Sequence, residues 1–257
     1  MSNMTVVMVG MGQLGRIFSG GLLRAGGTVV PVNREDSMAQ IALSVPDPAL
    51  VMVAVGENDL NAVLAVLPEQ WKSRVGLIQN ELLPRDWLRY QLVNPTVIPV
   101  WFEKKKGMDA KPLLPSPVFG PAAALIVSAL NDIDIPAYAL SGEADLLYEL
   151  VRKNVYILTT NIAGMNTGGN VGQLWEDHRG LATAVAEEVM DIQDWLTGLQ
   201  HDRERLMRGM VEAFEADPVH QCMGRSAPGR LTRALAYADE AGLSVPVLRE
   251  IAQSVVG

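Results

Sequence analysis

Short apolar blocks alternate with amphipathic ones along the first 140 residues. "TVVMVG" (5–10), "TVVPVN" (28–33), "ALVMVAV" (49–55), "RVGLIQN" (74–80), "PTVIPVW" (95–101) and "IPAYAL" (135–140) are brief and rich in β-branched residues, as strands are. Between them, "QLGRIFSGGLLRAG" (13–26), "NDLNAVLAVLP" (58–68) and "PAAALIVSALNDI" (121–133) read as helices, the first with Leu14, Ile17, Phe18 and Leu22 at helical spacing. The strand blocks are apolar on both faces, which predicts a parallel sheet covered by helices. Pro31 within the second block predicts an edge strand or an irregular end, because proline cannot donate to a ladder.

The alternation breaks at "FEKKKGMDAKPLLPSP" (102–117), with four lysines and three prolines. It reads as a solvated loop, the alternative being a flap over a ligand. From "SGEADLLYEL" (141–150) onward the pattern is helical, over 144–165, 181–214 and 229–255, with Ser141 as an N-cap and Glu143 in the first turn. The expected fold class is therefore α/β: a Rossmann-like parallel-sheet domain over 1–141, followed by an all-helical domain over 142–257.

Composition narrows the partners. Of 257 residues, 49% are hydrophobic and 19% charged, a globular balance. A net charge of −8 argues against general affinity for nucleic acid or anionic membranes. The single cysteine, Cys222, fits a reducing compartment, the N-terminus carries no basic leader, and the apolar run at 122–130 is too short to span a bilayer. These features predict a soluble, cytoplasmic protein.

The first strand block runs into "GMGQLG", placing Gly10, Gly12 and Gly15 in G-x-G-x-x-G spacing between a strand and a helix, with Met11, Gln13 and Leu14 among them. The first glycine permits a tight turn, the second lets the backbone approach a pyrophosphate, and the third lets helix and strand pack closely. The helix N-terminus then offers N–H groups and partial positive charge to the anion. At the end of the second strand block, "VPVNREDS" puts Arg34 at the strand tip, ahead of Glu35 and Asp36 in what reads as a helix's first turn. An arginine there accommodates the 2′-phosphate of NADP(H), whereas a plain surface arginine would leave the cofactor open.

These segments, with "GLIQNEL" (76–82), "ELVRKNVYILTTN" (149–161) and "CMGRSAPGRLTRAL" (222–235), resemble the ketopantoate reductase family (2-dehydropantoate 2-reductases) over nearly the whole chain. The resemblance implies reduction of a 2-oxo acid by NADPH in a cleft between a Rossmann-like and a helical domain. It implies Lys153 as the catalytic lysine, Asn161 and Asn170 as substrate-binding residues, and Asn80 as a residue near nicotinamide and substrate. A homodimer formed through the helical half is implied by similarity to related two-domain dehydrogenases. Hydride attack on a ketone builds negative charge on oxygen, and a lysine ammonium can both neutralise that charge and supply a proton. Partial burial would bring its pKa down from about 10.4. The structural alternative is a lysine whose stem runs out to water, with Asn161 as a C-cap before Gly164.

The sequence also departs from the family pattern. Gly56 replaces the lysine after the third strand, Glu81 the glycine of Gln-Asn-Gly, and Ile157 the asparagine one turn after the lysine. Cys222 replaces a serine, and Arg233 reverses the charge of a glutamate. Arg233 could clamp a substrate carboxylate, its fork suiting bidentate pairing, or lie on the surface. Two other functions fit the same residues: an NADP(H)-binding sensor or partner-binding protein without turnover, and an enzyme acting on an imine or a 3-hydroxy acid. The histidines at 178, 201 and 220 are too scattered to predict a metal site.

Overall fold

The computed structural model describes residues 4–104 and 107–256, so Lys105 and Lys106 of the lysine-rich segment lie outside the described residues. The chain divides into two units between Leu150 and Val151.

The first unit is built on five parallel strands. β1 (Thr5–Val9), β2 (Thr28–Val32), β3 (Leu50–Val53), β4 (Val75–Leu77) and β5 (Thr96–Val97) pair in the order β2-β1-β3-β4-β5. Val6, Val7 and Met8 of β1 and Val51, Met52 and Val53 of β3 are wholly buried, so the central strands are apolar on both faces as their sequence requires. β2 is an edge strand, where Pro31 forfeits no ladder bond to a further neighbour. The helices are α1 (Gln13–Arg24), α2 (Met38–Ser44), α3 (Glu57–Ala65), α4 (Pro84–Leu88) and α5 (Ala123–Asn131). α1 and α5 lie close enough that a methyl on Gly21 would come within 2.2 Å of the Ala129 carbonyl oxygen. Phe18, Leu22, Met8, Ile126 and Leu130 join in the core beneath them.

Several sequence expectations need correction in this unit. Glu35 and Asp36 precede α2 rather than opening it: Ser37 is the N-cap, accepting from the Gln40 N–H, and the Asp36 carboxylate accepts from the Asn33 N–H at 2.7 Å. The short aspartate side chain closes its own turn more readily than it enters a helix. The expected strand over 95–101 shrinks to β5. The lysine-rich segment is not one loop: it contributes β6 (Phe102–Glu103) paired with β7 (Lys111–Pro112), then β8 (Ser116–Val118). Buried Phe102, its ring centroid 6.0 Å from that of Phe18, and buried Ser116 and Val118 anchor both ends in the core. The last strand forms as β9 (Ala137–Ala139) but pairs in parallel with β8, in a separate two-stranded sheet.

α6 (Glu143–Thr167) begins in the first unit and continues into the second, which adds α7 (Val171–Asp177), α8 (Arg179–Thr197), α9 (Arg203–Ala216), α10 (Ala227–Ala241) and α11 (Pro246–Val256). Gly142, not Ser141, stands at the N-cap of α6, its carbonyl accepting from the Leu146 N–H at 3.1 Å; the Ser141 hydroxyl donates to the Asp145 carboxylate at 2.7 Å, and Glu143 and Asp145 place negative charge in the first turn. The two long helical patterns are each broken by a glycine. Gly198 (φ 69°) ends α8 before Asp202 caps α9, and Gly242 (φ 66°) ends α10 before Pro246 opens α11. Buried polar side chains tie the helices together: Asn154 to Gln193 at 2.9 Å (α6 to α8), Arg152 to the Gly209 carbonyl at 3.1 Å (α6 to α9), and Glu188 accepting from Val247 and Leu248 N–H at 2.9 Å (α8 to α11).

Candidate cofactor pocket and lysine helix

In the sheet, β1 is followed by β2 on one side and β3 on the other, so a crevice opens at their carboxyl ends. There lies a cavity of about 640 Å³, within the ordinary size of a small-molecule site. Gly10, Met11, Gly12, Arg16, Asn33 and Arg34 line it, with Gly56 and Asp59 opposite.

Each motif glycine is needed for a different reason. Gly10 turns the chain at φ 95°, where a side chain would also press on the Ala54 carbonyl oxygen at 2.9 Å. A methyl on Gly15 would stand 2.1 Å from the Gly10 carbonyl oxygen, so helix and loop pack without space for one. Around Gly12, by contrast, no atom of the described residues beyond its chain neighbours lies within 4 Å of where a Cβ would be. Its surroundings are open on the cavity side, as backbone approach by a phosphate requires. Among the described residues no side chain caps α1, which leaves its first-turn N–H groups to an anion. This donor set fits a dinucleotide. Gln13, Leu14 and Gly15 sit on α1 behind the lining.

Arg34 extends from the turn after β2 with its side chain 87% exposed and pairs with Asp59, in the first turn of α3, at 3.2 Å. Nothing in the sequence pattern singled out Asp59, 25 residues on. Asn80 lies half-buried in the turn after β4 and is not part of the cavity lining. Its neighbour Gln79 is buried, its Nε2 donating to the carbonyls of Val53 at 2.8 Å and Val55 at 3.2 Å. Gln79 thus fixes the end of β3 from which Gly56 follows. Glu81 adopts φ 60°, a left-handed conformation that a glycine takes without strain.

The second unit carries the lysine. Lys153 is half-buried on α6, its Nζ 5.7 Å from the Tyr156 ring centroid. Burial, reinforced by the charges of Arg230 and Arg152, lowers its pKa from 10.5 to about 7. Arg230, on α10, is itself buried and donates to Asn161 Oδ1 at 2.7 Å, while Asn161 Nδ2 donates to the Cys222 carbonyl at 3.1 Å. Arg230 and Asn161 are thus joined across α10 and α6, and the Arg230 charge acts on Lys153 two turns earlier on α6. In the sequence Arg230 looks ordinary, because only the fold reveals its burial.

Asn161 does not cap a helix, since α6 runs on through Gly164 to Thr167. Gly164 is there because Cys222 packs on it: a methyl would stand 2.6 Å from the Cys222 Cβ. The Cys222 thiol is buried and its pKa is pushed up to about 11, which suits a packing residue and not a nucleophile. Asn170 is the N-cap of α7, accepting from the Gln173 N–H at 2.9 Å, while the Gln173 side chain accepts from the Asn170 N–H. Arg233 is half-buried on α10, with its guanidinium 3.5 Å from where a methyl on Gly229 would lie. Among the described residues no group of three or more His, Cys, Asp or Glu side chains is placed to hold a metal ion, and no helix is long and apolar enough to cross a membrane.

The architecture, a parallel sheet with covering helices followed by a helical region, is the fold of the ketopantoate reductases. A probable 2-dehydropantoate 2-reductase from Bacillus subtilis superposes with a TM-score of 0.69 at 16% identity, covering 98% of this chain and 98% of its own. A ketopantoate reductase from Ralstonia eutropha gives 0.67 at 16% identity, covering 98% and 96%. D-mandelate dehydrogenase, solved with NADH, gives 0.68 at 13% identity, covering 98% and 97%. No family model and no curated protein sequence matches the chain. At these identities the likeness is one of fold.

Proposed function

We propose that the chain is a nicotinamide-dependent reductase of a small 2-oxo acid or related carbonyl compound, with NADP(H) as its cofactor. The observation that carries this reading is Arg230, buried and bonded to Asn161, with its charge acting on a half-buried Lys153, on a fold shared with 2-dehydropantoate 2-reductases and with a dehydrogenase solved with NADH. Gly10, Met11, Gly12 and the N-terminus of α1 would hold the pyrophosphate, with Arg34 toward the 2′-phosphate and Asn80 toward the nicotinamide. The cofactor, when bound, supplies a hydride to the carbonyl carbon. Lys153 offsets the charge that grows on the carbonyl oxygen and passes it a proton, giving the hydroxy acid. Arg230 contributes fixed positive charge suited to a substrate carboxylate, and Asn161 holds Arg230 in place.

Substrate contacts from Asn161, Asn170 and Arg233 belong to the same proposal, as do a cytoplasmic setting and a homodimer through the helical unit. A monomeric mass in sedimentation would remove the dimer. The second reading, cofactor binding without turnover, is favoured by the reversed charge at Arg233 and the apolar Ile157 on the lysine helix. A panel of 2-oxo acids, other carbonyls and imines, assayed with NADPH and NADH, separates these readings. Turnover that Lys153→Ala removes while cofactor binding persists supports a reductase; no turnover on any member, with cofactor bound, supports the sensor.

A further inference from the structure

We propose that Asp59 tempers cofactor selectivity: it opposes Arg34 and narrows the pocket's preference for the nucleotide bearing a 2′-phosphate over the one lacking it. This rests on the glycine-loop cavity being a dinucleotide site. The charged side chains lining that cavity are Arg16, Arg34, Asp36 and Asp59. Arg16 is turned toward the loop, its Nε donating to the Met11 carbonyl at 3.1 Å. At the ribose end, therefore, one guanidinium faces two carboxylates. Asp36 is held by the Asn33 N–H, and Asp59 pairs with Arg34 at 3.2 Å.

A bound 2′-phosphate would bring close to two negative charges to this end. It would have to draw Arg34 away from Asp59 and then lie beside the carboxylate left behind. The sequence also lacks a second cation here, because position 56 is glycine. A side chain begun at Gly56 would start beside Asp59, whose Oδ2 is 4.0 Å from the ideal Cβ. The carboxylate thus stands where a longer side chain at 56 would reach. A ribose 2′-hydroxyl meets no such opposition, since it can donate a hydrogen bond to a carboxylate. The pair is solvated, with the Asp59 side chain 54% exposed, so the effect is moderate and screened by salt.

The test is titration of the full chain with NADPH and NADH by cofactor fluorescence, for the wild type, Asp59→Asn and Asp59→Lys. Asp59→Asn should shift the ratio of dissociation constants about tenfold toward NADPH at low salt, Asp59→Lys should shift it further, and both shifts should shrink at about 0.5 M salt. A ratio that stays within about twofold in both variants, with both cofactors still bound, overturns the role of Asp59 and leaves the dinucleotide site standing. Failure of the wild type to bind either cofactor overturns the site itself, and the selectivity proposal with it.

Discussion

The glycine loop of the first unit and the lysine helix of the second are prepared by opposite means. The loop makes room by leaving side chains out: Gly10 and Gly15 because atoms already fill the space, and Gly12 because that space stays open. The helix brings polar side chains in and binds them to one another, Arg230 to Asn161 and Asn161 to the chain at Cys222. An omission is local and leaves a mark within six residues. A buried polar cluster is joined across 61 and 69 residues of sequence, and each of its members alone looks ordinary. The two means also fail differently under mutation, the first through crowding and the second through lost charge and lost bonds.

The largest effect separating them is expected at Lys153. Lys153→Ala should lower kcat/KM for the best carbonyl substrate by about a thousandfold, within the range for loss of a general acid, while the cofactor dissociation constant moves less than about threefold. Comparable losses in both would mean that the lysine supports the fold rather than the reaction. The pH profile sharpens this point. With its pKa lowered to about 7, Lys153 is loaded as an acid below that value, so reduction should slow as pH rises through it. The unfolded lysine keeps its proton up to about pH 10.4. Between these values the unfolded chain binds more protons than the folded one, and Lys153 therefore makes stability rise with pH over that window. Lys153→Met should flatten the rise of Tm measured from about pH 7 upward.

Next in size is Gly15→Ala. Its methyl meets a backbone oxygen and should cost about 3 kcal/mol in chemical denaturation, whereas Gly12→Ala should cost under about 0.5 kcal/mol yet weaken cofactor binding about tenfold. Equal stability losses at the two positions would break the distinction drawn between them. Asn161→Ala should cost about 2 kcal/mol, because it strips a partner from a buried guanidinium; a loss below about 0.5 kcal/mol would show that Arg230 does not need it. The smallest effect is a gain. Glu81→Gly should stabilise by about 0.5–1 kcal/mol by relieving a positive φ, and an unchanged denaturation midpoint would mean that the strain is offset elsewhere.

What was legible in the sequence follows the same division. The parallel sheet and its glycine loop could be read from apolar blocks and from spacing, because strand burial on both faces and the turn at Gly10 are short-range demands. Helix ends were read less well. The patterns over 181–214 and 229–255 keep their period across Gly198 and Gly242, so their breaks depend on backbone choices that periodicity does not record. Asp59, Gln79 and Arg230 were not singled out, for they matter only through partners that the fold supplies. Lys153 was reached through the resemblance of its helix to a family segment, for Arg152 and Asn154 flank it and leave it locally ordinary. Arg230 lay in another such segment, yet its surroundings in sequence are polar and small.

The division between the two units falls inside α6, after its eighth residue. A ribosome that has released only the first unit has therefore made only the opening two turns of that helix, fewer than the roughly 12–15 residues a helix needs to persist alone in water. Those turns await the residues that carry Lys153 and Asn161. For the same reason a protease or a gene designer seeking to part the halves finds no exposed linker at the junction, only hydrogen-bonded helix. Expressed separately, each half would carry a severed helix end, and a split version of this protein would regain its function only by reconstituting α6 from two chains.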